Sequence, residues 1–301
     1  MSESVEQLHS SNIPARDEPE QVYETIIEAR SALRFLDWKE LYQYRDLLRF
    51  LVWRDVKVRY AQSAIGIGWA IIQPVFSMIV FTVIFGRLAK VSSDGSPYEL
   101  FSLCALVPWT YFSNALTDGT NSLVNEANVL KKVYFPRIMM PLSAMFAKLV
   151  DFSIGLALLF VLMVYFKISP PAETFFSPNL GILLLPYLIL LMSMTAFGMS
   201  CWFTVFAIQY RDVKHAMNFV VQLMMYAAPV VYPASLIPEK YQLIYAINPM
   251  VAVIEGFRAA LLGTREMPWG FIAVGSLSAI AITFTGILYF NFKERIFADV
   301  A

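Results

Sequence analysis

A lysine and an aspartate three residues apart, Lys148 and Asp151, interrupt an otherwise apolar run. At that spacing they share one helix face, and each relieves the cost of a lone charge in an apolar setting. They are expected to form an internal ion pair facing a helical bundle; the sharper alternative is that Lys148 meets an anionic group on a cargo. A second set of charges, Arg54, Lys57 and Arg59 followed by Tyr60, interleaves with Tyr44, Leu47, Leu48, Leu51 and Val52 at helical spacing. Such a basic amphipathic helix suits the plane of a membrane interface, where cations meet acidic headgroups; an ordinary solvated helix face is the plainer reading. Five rings, Trp69, Phe76, Trp109, Tyr111 and Phe112, can stack on sugar faces in a carbohydrate channel. Rings also anchor spans at interfaces and fill membrane cores, and both uses stay open.

Several chemistries are missing. No G-x-x-x-x-G-K-[ST] loop occurs, so this chain does not cradle a nucleotide's phosphates in the usual way. The two histidines, His9 and His215, stand apart, and no His/Cys cluster has metal-ligand spacing. No Ser/His/Asp or paired-carboxylate arrangement is visible in an apolar setting, which sets catalysis behind transport. Cys104 and Cys201 fall inside apolar runs and are expected as buried small hydrophobes. Formal net charge is zero, so no polyanion and no nucleic-acid partner is implied.

The elements that must position these residues are membrane helices. Hydrophobic residues make up 58% of the chain and charged ones 15%, against about a quarter charged in soluble domains. The deficit is concentrated in long runs without Asp, Glu, Lys or Arg, over 60–86, 100–117, 174–210, 216–238 and 267–292. A hydrocarbon core needs roughly 20 residues of helix, and lipid offers no partner to an unpaired backbone group. The sequence therefore predicts an all-α integral membrane protein with six transmembrane helices, at 66–86, 98–117, 138–166, 180–208, 216–232 and 270–290. Between the fifth and sixth, apolar pieces are broken by Asn248, Pro249, Glu255 and Arg258, which predicts two short helices forming a re-entrant outer pair. Residues 1–40 read as a polar cytoplasmic tail with a short helix at 21–35 and no apolar signal-peptide core; 41–301 is the membrane domain. With the N-terminus inside, Arg45, Arg49, Arg54, Lys57, Arg59, Lys131, Lys132, Arg137, Arg211, Lys214, Lys293 and Arg295 fall on the inner side. Fewer cations, Arg87, Lys90, Lys167, Lys240, Arg258 and Arg265, fall outside, as the positive-inside rule requires with both termini cytoplasmic.

Three groups of residues together resemble a known family. Arg54-Asp55-Val56-Lys57-Val58-Arg59-Tyr60 leads into Gly66, Trp69 and Gln73-Pro74. Trp109-Thr110-Tyr111-Phe112-Ser113 is followed by Asn121-Ser122-Leu123, Asn128, Leu130-Lys131-Lys132 and Phe135-Pro136-Arg137, and later come Asn248-Pro249-Met250, Glu255 and Arg258. In order and spacing these resemble the permease subunit of bacterial ABC exporters for O-antigen, capsular polysaccharide or teichoic acid, over about residues 41–295. The polar N-terminal tail departs from the pattern.

The resemblance implies a homodimer in the bacterial inner membrane that binds two copies of a separate ABC ATPase on its cytoplasmic side. ATP and magnesium would sit on that partner, so no cofactor is expected in this chain. The implied cargo is a glycan on an undecaprenyl diphosphate lipid, moved through a channel along the subunit interface lined partly by the first and fifth spans. On this view a short helix at 120–130 docks in the ATPase, with Asn121, Glu126, Asn128, Lys131 and Lys132 as coupling residues; a loop that merely sets topology is the plainer account. Arg54, Lys57, Arg59 and Tyr60 would receive the lipid diphosphate, since arginine matches phosphate bidentately, unless they bind only bulk anionic lipid. A permease for a drug, haem or another small lipid is the near alternative. An ion-driven secondary transporter or a membrane-embedded transferase is a more distant one.

Overall fold

The computed structural model describes residues 38–61, 65–126, 134–169, 176–210 and 212–294, and these form helices with no strand among them. The tail helix expected at 21–35 lies outside the described residues, as do Asn128, Lys131 and Lys132. In chain order the helices are α1 (Trp38–Gln43), α2 (Arg45–Tyr60), α3 (Trp69–Phe81), α4 (Tyr98–Asn125) and α5 (Met139–Ile168). They continue as α6 (Leu185–Gln209), α7 (Val213–Tyr226), α8 (Glu239–Tyr245), α9 (Pro249–Leu261) and α10 (Trp269–Lys293). A 3-10 turn, Gly66–Gly68, leads into α3, a π-helical stretch, Thr82–Leu88, extends it, and another 3-10 segment, Leu180–Leu184, opens α6.

With these extensions, Gly66–Leu88, Met139–Ile168, Leu180–Gln209 and Trp269–Lys293 are long and apolar enough to cross a membrane. Each coincides with an expected span. At 28 residues α4 is also long enough, about 42 Å at 1.5 Å per residue, but its composition is more polar. Most of its side chains are buried against α5, α6 and α9, and a helix enclosed by other helices needs no lipid-facing apolar surface. Of the expected spans, α7 departs furthest from expectation. It starts at Val213 and ends at Tyr226, 14 residues or about 21 Å, short of a hydrocarbon core of about 30 Å. The stretch predicted to finish it, through Tyr232, is turn rather than helix.

The broken region after it does form two helices, α8 and α9, bent by 112°. Asn248 makes the corner: its side chain accepts from the Met250 amide at 3.1 Å and donates to the Ala227 carbonyl at 3.1 Å, with Pro249 at the first helical position. Every residue of α9 is buried, so this element packs at the centre of the bundle, against α4, α6 and α10.

Where α6 meets α10, glycine sets the spacing. A Cβ at Gly198 would lie 2.5 Å from Thr283 Cα, and one at Gly286 would lie 2.2 Å from the Gly198 carbonyl oxygen. Backbones meet directly there, the usual device where helices associate without a hydrophobic driving force. Gly286→Val should therefore lower stability by about 3 kcal/mol, because backbone rather than a flexible side chain must yield. Thermal unfolding in detergent is the check, with Gly270→Ala, which meets nothing within 4 Å, as a near-neutral control.

Candidate functional site

At the end of the bundle where α2 lies, a charged seam joins three helices. Leu51 and, partly, Leu47 and Leu48 of α2 pack on the bundle with Tyr44 just before them, while Phe50 and Trp53 stay exposed. α2 therefore carries apolar side chains on two sides, one packed on the bundle and one left open. Docked this way, the last turn of α2 brings Arg59 and Tyr60 onto α5. Lys148 stands about 14 Å along α5 from Met139, at 1.5 Å per residue.

There Lys148, only 7% exposed, pairs with Asp118 of α4, Nζ to Oδ2, at 2.5 Å. Arg59 bridges both acids, with Nη2 3.3 Å from Asp118 Oδ2 and Nη1 donating to Asp151 Oδ2. The Tyr60 hydroxyl donates to the other Asp151 oxygen. Burial, and then that carboxylate, push the Tyr60 phenol up to about 12, so it stays a hydrogen-bond donor at any physiological pH. The ion pair expected within one helix is thus made between helices: among the described residues Lys148 bridges Asp118, and Asp151 bridges Arg59. Helical spacing placed Lys148 and Asp151 on one face, but facing helices offered each a partner. Asp118 was not singled out from sequence, where it reads as the first residue of a loop. The available signal was the need of a buried lysine for an acid, and α4, continuing to Asn125, supplies it.

Arg54 lies further out along the same seam. Its Nη2 is 2.9 Å from Glu126 Oε1 at the end of α4 and 2.9 Å from Asp55 Oδ1. Both arginines expected to receive a diphosphate therefore carry carboxylate partners already. Lys57 has no ion pair among the described residues; its ammonium lies 4.6 Å from the centre of the Trp53 ring. The expected short helix at 120–130 is, as far as Glu126, simply the end of α4. Asn121 is buried there with its amide donating to the Thr117 carbonyl at 2.9 Å, so it faces the bundle rather than a partner. Of the coupling candidates, Glu126 is described and partly exposed at the helix end.

The five rings separate into two groups. Trp69 and Phe76, 53% and 67% exposed, lie on the outer face of α3. Trp109, Tyr111 and Phe112 are buried: Trp109 packs on Phe112 at 5.4 Å between ring centres, and the Tyr111 hydroxyl meets Ser193 Oγ at 2.9 Å. These three fill the subunit core, because α4 is surrounded on nearly all sides. Both cysteines are buried as well. Beside the charged seam a cavity of about 280 Å³ opens between α3, α4 and α5, with Trp69, Gln73, Thr110, Tyr111, Asn114 and Asp151 in its wall. The seam balances two cations with two acids and offers hydrogen-bonding groups at that cavity, an arrangement suited to holding a ligand or transmitting movement.

These features define a multi-helix membrane protein with a charged junction between an amphipathic helix, α2, and its apolar bundle. Residues 46–262 match the family described as ABC-2 type transporter, and the chain belongs to that family, as a membrane subunit. It is 26% identical over 255 residues to "O-antigen export system permease protein RfbA" of Klebsiella pneumoniae, covering 85% of this chain and 95% of that protein. It is 30% identical over 224 residues to the protein of the same name from Myxococcus xanthus, covering 73% and 82%. With "Polysialic acid transport protein KpsM" of Escherichia coli the identity is 24% over 249 residues, covering 80% and 91%.

Proposed function

We propose that this chain is the membrane-spanning half of an ATP-driven exporter that carries a lipid-linked polysaccharide, of O-antigen or capsule type, across the bacterial inner membrane. The observation that carries the reading is the similarity, over most of the chain, to permeases named for O-antigen and polysialic acid. In this reading the chain crosses the membrane six times with both termini inside. The α2 end is cytoplasmic and the α8–α9 corner is a re-entrant pair on the outer side; the excess of Lys and Arg at the α2 end supports that orientation. Two copies assemble with two ATPase subunits. The exposed face of α3, with Trp69 and Phe76, borders the passage between copies. A carrier diphosphate first meets Lys57, whose charge no acid among the described residues takes up.

Co-purification of the chain with its ATPase, followed by ATP-dependent movement of an undecaprenyl-diphosphate glycan in liposomes, tests this. A two-plus-two complex that moves the glycan is expected; a chain that transports without ATP or a partner would overturn it. Coupling makes a narrower prediction. Glu126→Arg places a cation against Arg54 and should reduce transport strongly while changing stability by no more than about 1 kcal/mol, since the pair is partly solvated. Arg54→Glu combined with Glu126→Arg should restore part of the transport. Unchanged transport in the single variant would remove Glu126 from the coupling path.

A further inference from the structure

The cavity beside the charged seam holds three polar side chains with no hydrogen-bond partner among the described residues: Gln73, Thr110 and Asn114. Gln73 is exposed on α3, and Thr110 and Asn114 are half-buried on α4, so their amides and hydroxyl are open to water or to a ligand in the cavity. Asp151 adds acceptor capacity. An ionised carboxylate has about four lone-pair sites. Arg59 and Tyr60 each take one, which leaves acceptor sites free. The rings of Trp69 and Tyr111 supply apolar faces in the same wall. Charge discriminates among ligands. Arg59 and Lys148 are neutralised by Asp118 and Asp151, so the cavity has no spare cation for a phosphate. What suits it is an uncharged group rich in hydroxyls with one apolar face. At about 280 Å³ it lies just under the ~300–1,000 Å³ of sites for drug-sized ligands, room for one ring rather than a chain.

We propose that this cavity is a subsite for a single sugar ring, the one nearest the lipid carrier of the exported polymer. The assignment rests on the exporter reading above. It divides recognition in two: the diphosphate stays outside with Lys57, and the first sugar enters the cavity, where Asn114, Gln73 and Asp151 bond its hydroxyls. The seam would then feel the ligand through Asp151, which is shared with Arg59 and Tyr60 of α2.

The test uses the full chain with its ATPase in lipid nanodiscs and two probes: a polyprenyl diphosphate carrying one N-acetylhexosamine, and the same lipid without the sugar. The sugar-bearing lipid should bind about tenfold more tightly, the worth of one or two added hydrogen bonds. Asn114→Ala combined with Gln73→Leu should reduce that preference to about one, with binding of the sugarless lipid unchanged as the control for folding. Should the double variant not fold, Gln73→Leu alone, an exposed position, should cost about threefold of the preference. Equal binding of the two lipids, or a preference that survives the substitutions, would overturn the subsite while leaving the exporter reading intact. A preference abolished by excess glycosyl diacylglycerol would assign the cavity to bilayer glycolipid and overturn the link to the polymer. Failure of either carrier lipid to bind would overturn the exporter reading and the subsite with it.

Discussion

Glu255→Leu is expected to destabilise the protein by about 3–5 kcal/mol, the range for breaking a buried ion pair from one side. Glu255 and Arg258 lie one turn apart on α9, 6% and 4% exposed, with Nη1 to Oε1 at 2.9 Å. The pair does more than neutralise itself. Arg258 donates through Nη2 to the Val230 carbonyl at 3.0 Å and through Nη1 to the Tyr232 carbonyl at 3.3 Å, and its guanidinium lies 3.6 Å from the Phe101 ring centre. Glu255 accepts from the Ala234 amide at 3.2 Å. Together they clamp the turn after α7 onto α9 and α4. Removing the carboxylate leaves a buried cation without its counter-charge and an amide without its acceptor. Unfolding of the detergent-solubilised protein, with proteolysis between 227 and 238, should show both the lost stability and a loosened turn. Adding Arg258→Met should recover part of the loss, because the uncompensated charge is gone while the carbonyls of Val230 and Tyr232 stay unpaired. If Glu255→Leu unfolds like the parent, the clamp contributes nothing.

Lys148→Met should cost about 2–4 kcal/mol, between the ~0–1 of an exposed pair and the ~3–5 of a buried one, because Lys148 is buried but Asp118 is nearly half exposed. The thioether fills the lysine's apolar volume, so the loss reports charge rather than packing. Asp118 and Asp151 are then left with Arg59 alone between them. Asp118→Asn should also destabilise, and the double variant should lose less than the two single losses added together, which is the signature of a direct pair. Additive losses would mean that the lysine acts elsewhere. Transport gives a separate readout: if the seam only holds α2, α4 and α5 together, the double variant should keep ATP-driven export in proportion to its folded fraction. A loss of export beyond that fraction would assign the seam a part in moving the cargo.

The two pairs show why some of the site was legible in the sequence and some was not. Lys148, Asp151, Glu255 and Arg258 all stood out as charges inside or beside apolar runs, and all are engaged in ion pairs. Glu255 and Arg258 were read only as charges breaking an apolar stretch, though their spacing of three residues on one helix is what joins them. For Lys148 the same spacing suggested Asp151, yet the partner is Asp118, thirty residues earlier in the chain and on another helix. Of two rows with equal local logic, one was settled by its own helix and the other by the rotation of a neighbour.

The sequence by itself determined the class of the protein, the positions of four membrane-length helices, the amphipathic helix carrying Arg54 to Tyr60, and the break at Asn248-Pro249. Each of these follows from local chemistry: apolar runs exclude strands in lipid, periodicity defines a face, and Asn followed by Pro starts a helix. Only the tertiary structure decided which carboxylate neutralises Lys148, that Arg54 reaches Glu126, and that Trp109, Tyr111 and Phe112 are core while Trp69 and Phe76 face outward. That α7 stops at Tyr226 is local as well, since Pro229 has no N–H for the Met225 carbonyl and disfavours a helical Ala228; what the tertiary structure added is Arg258 on the carbonyls of Val230 and Tyr232. These outcomes depend on the rotation and depth of one helix against another. The four membrane-length helices have much the same apolar composition, so no local pattern records which of their faces meets which neighbour.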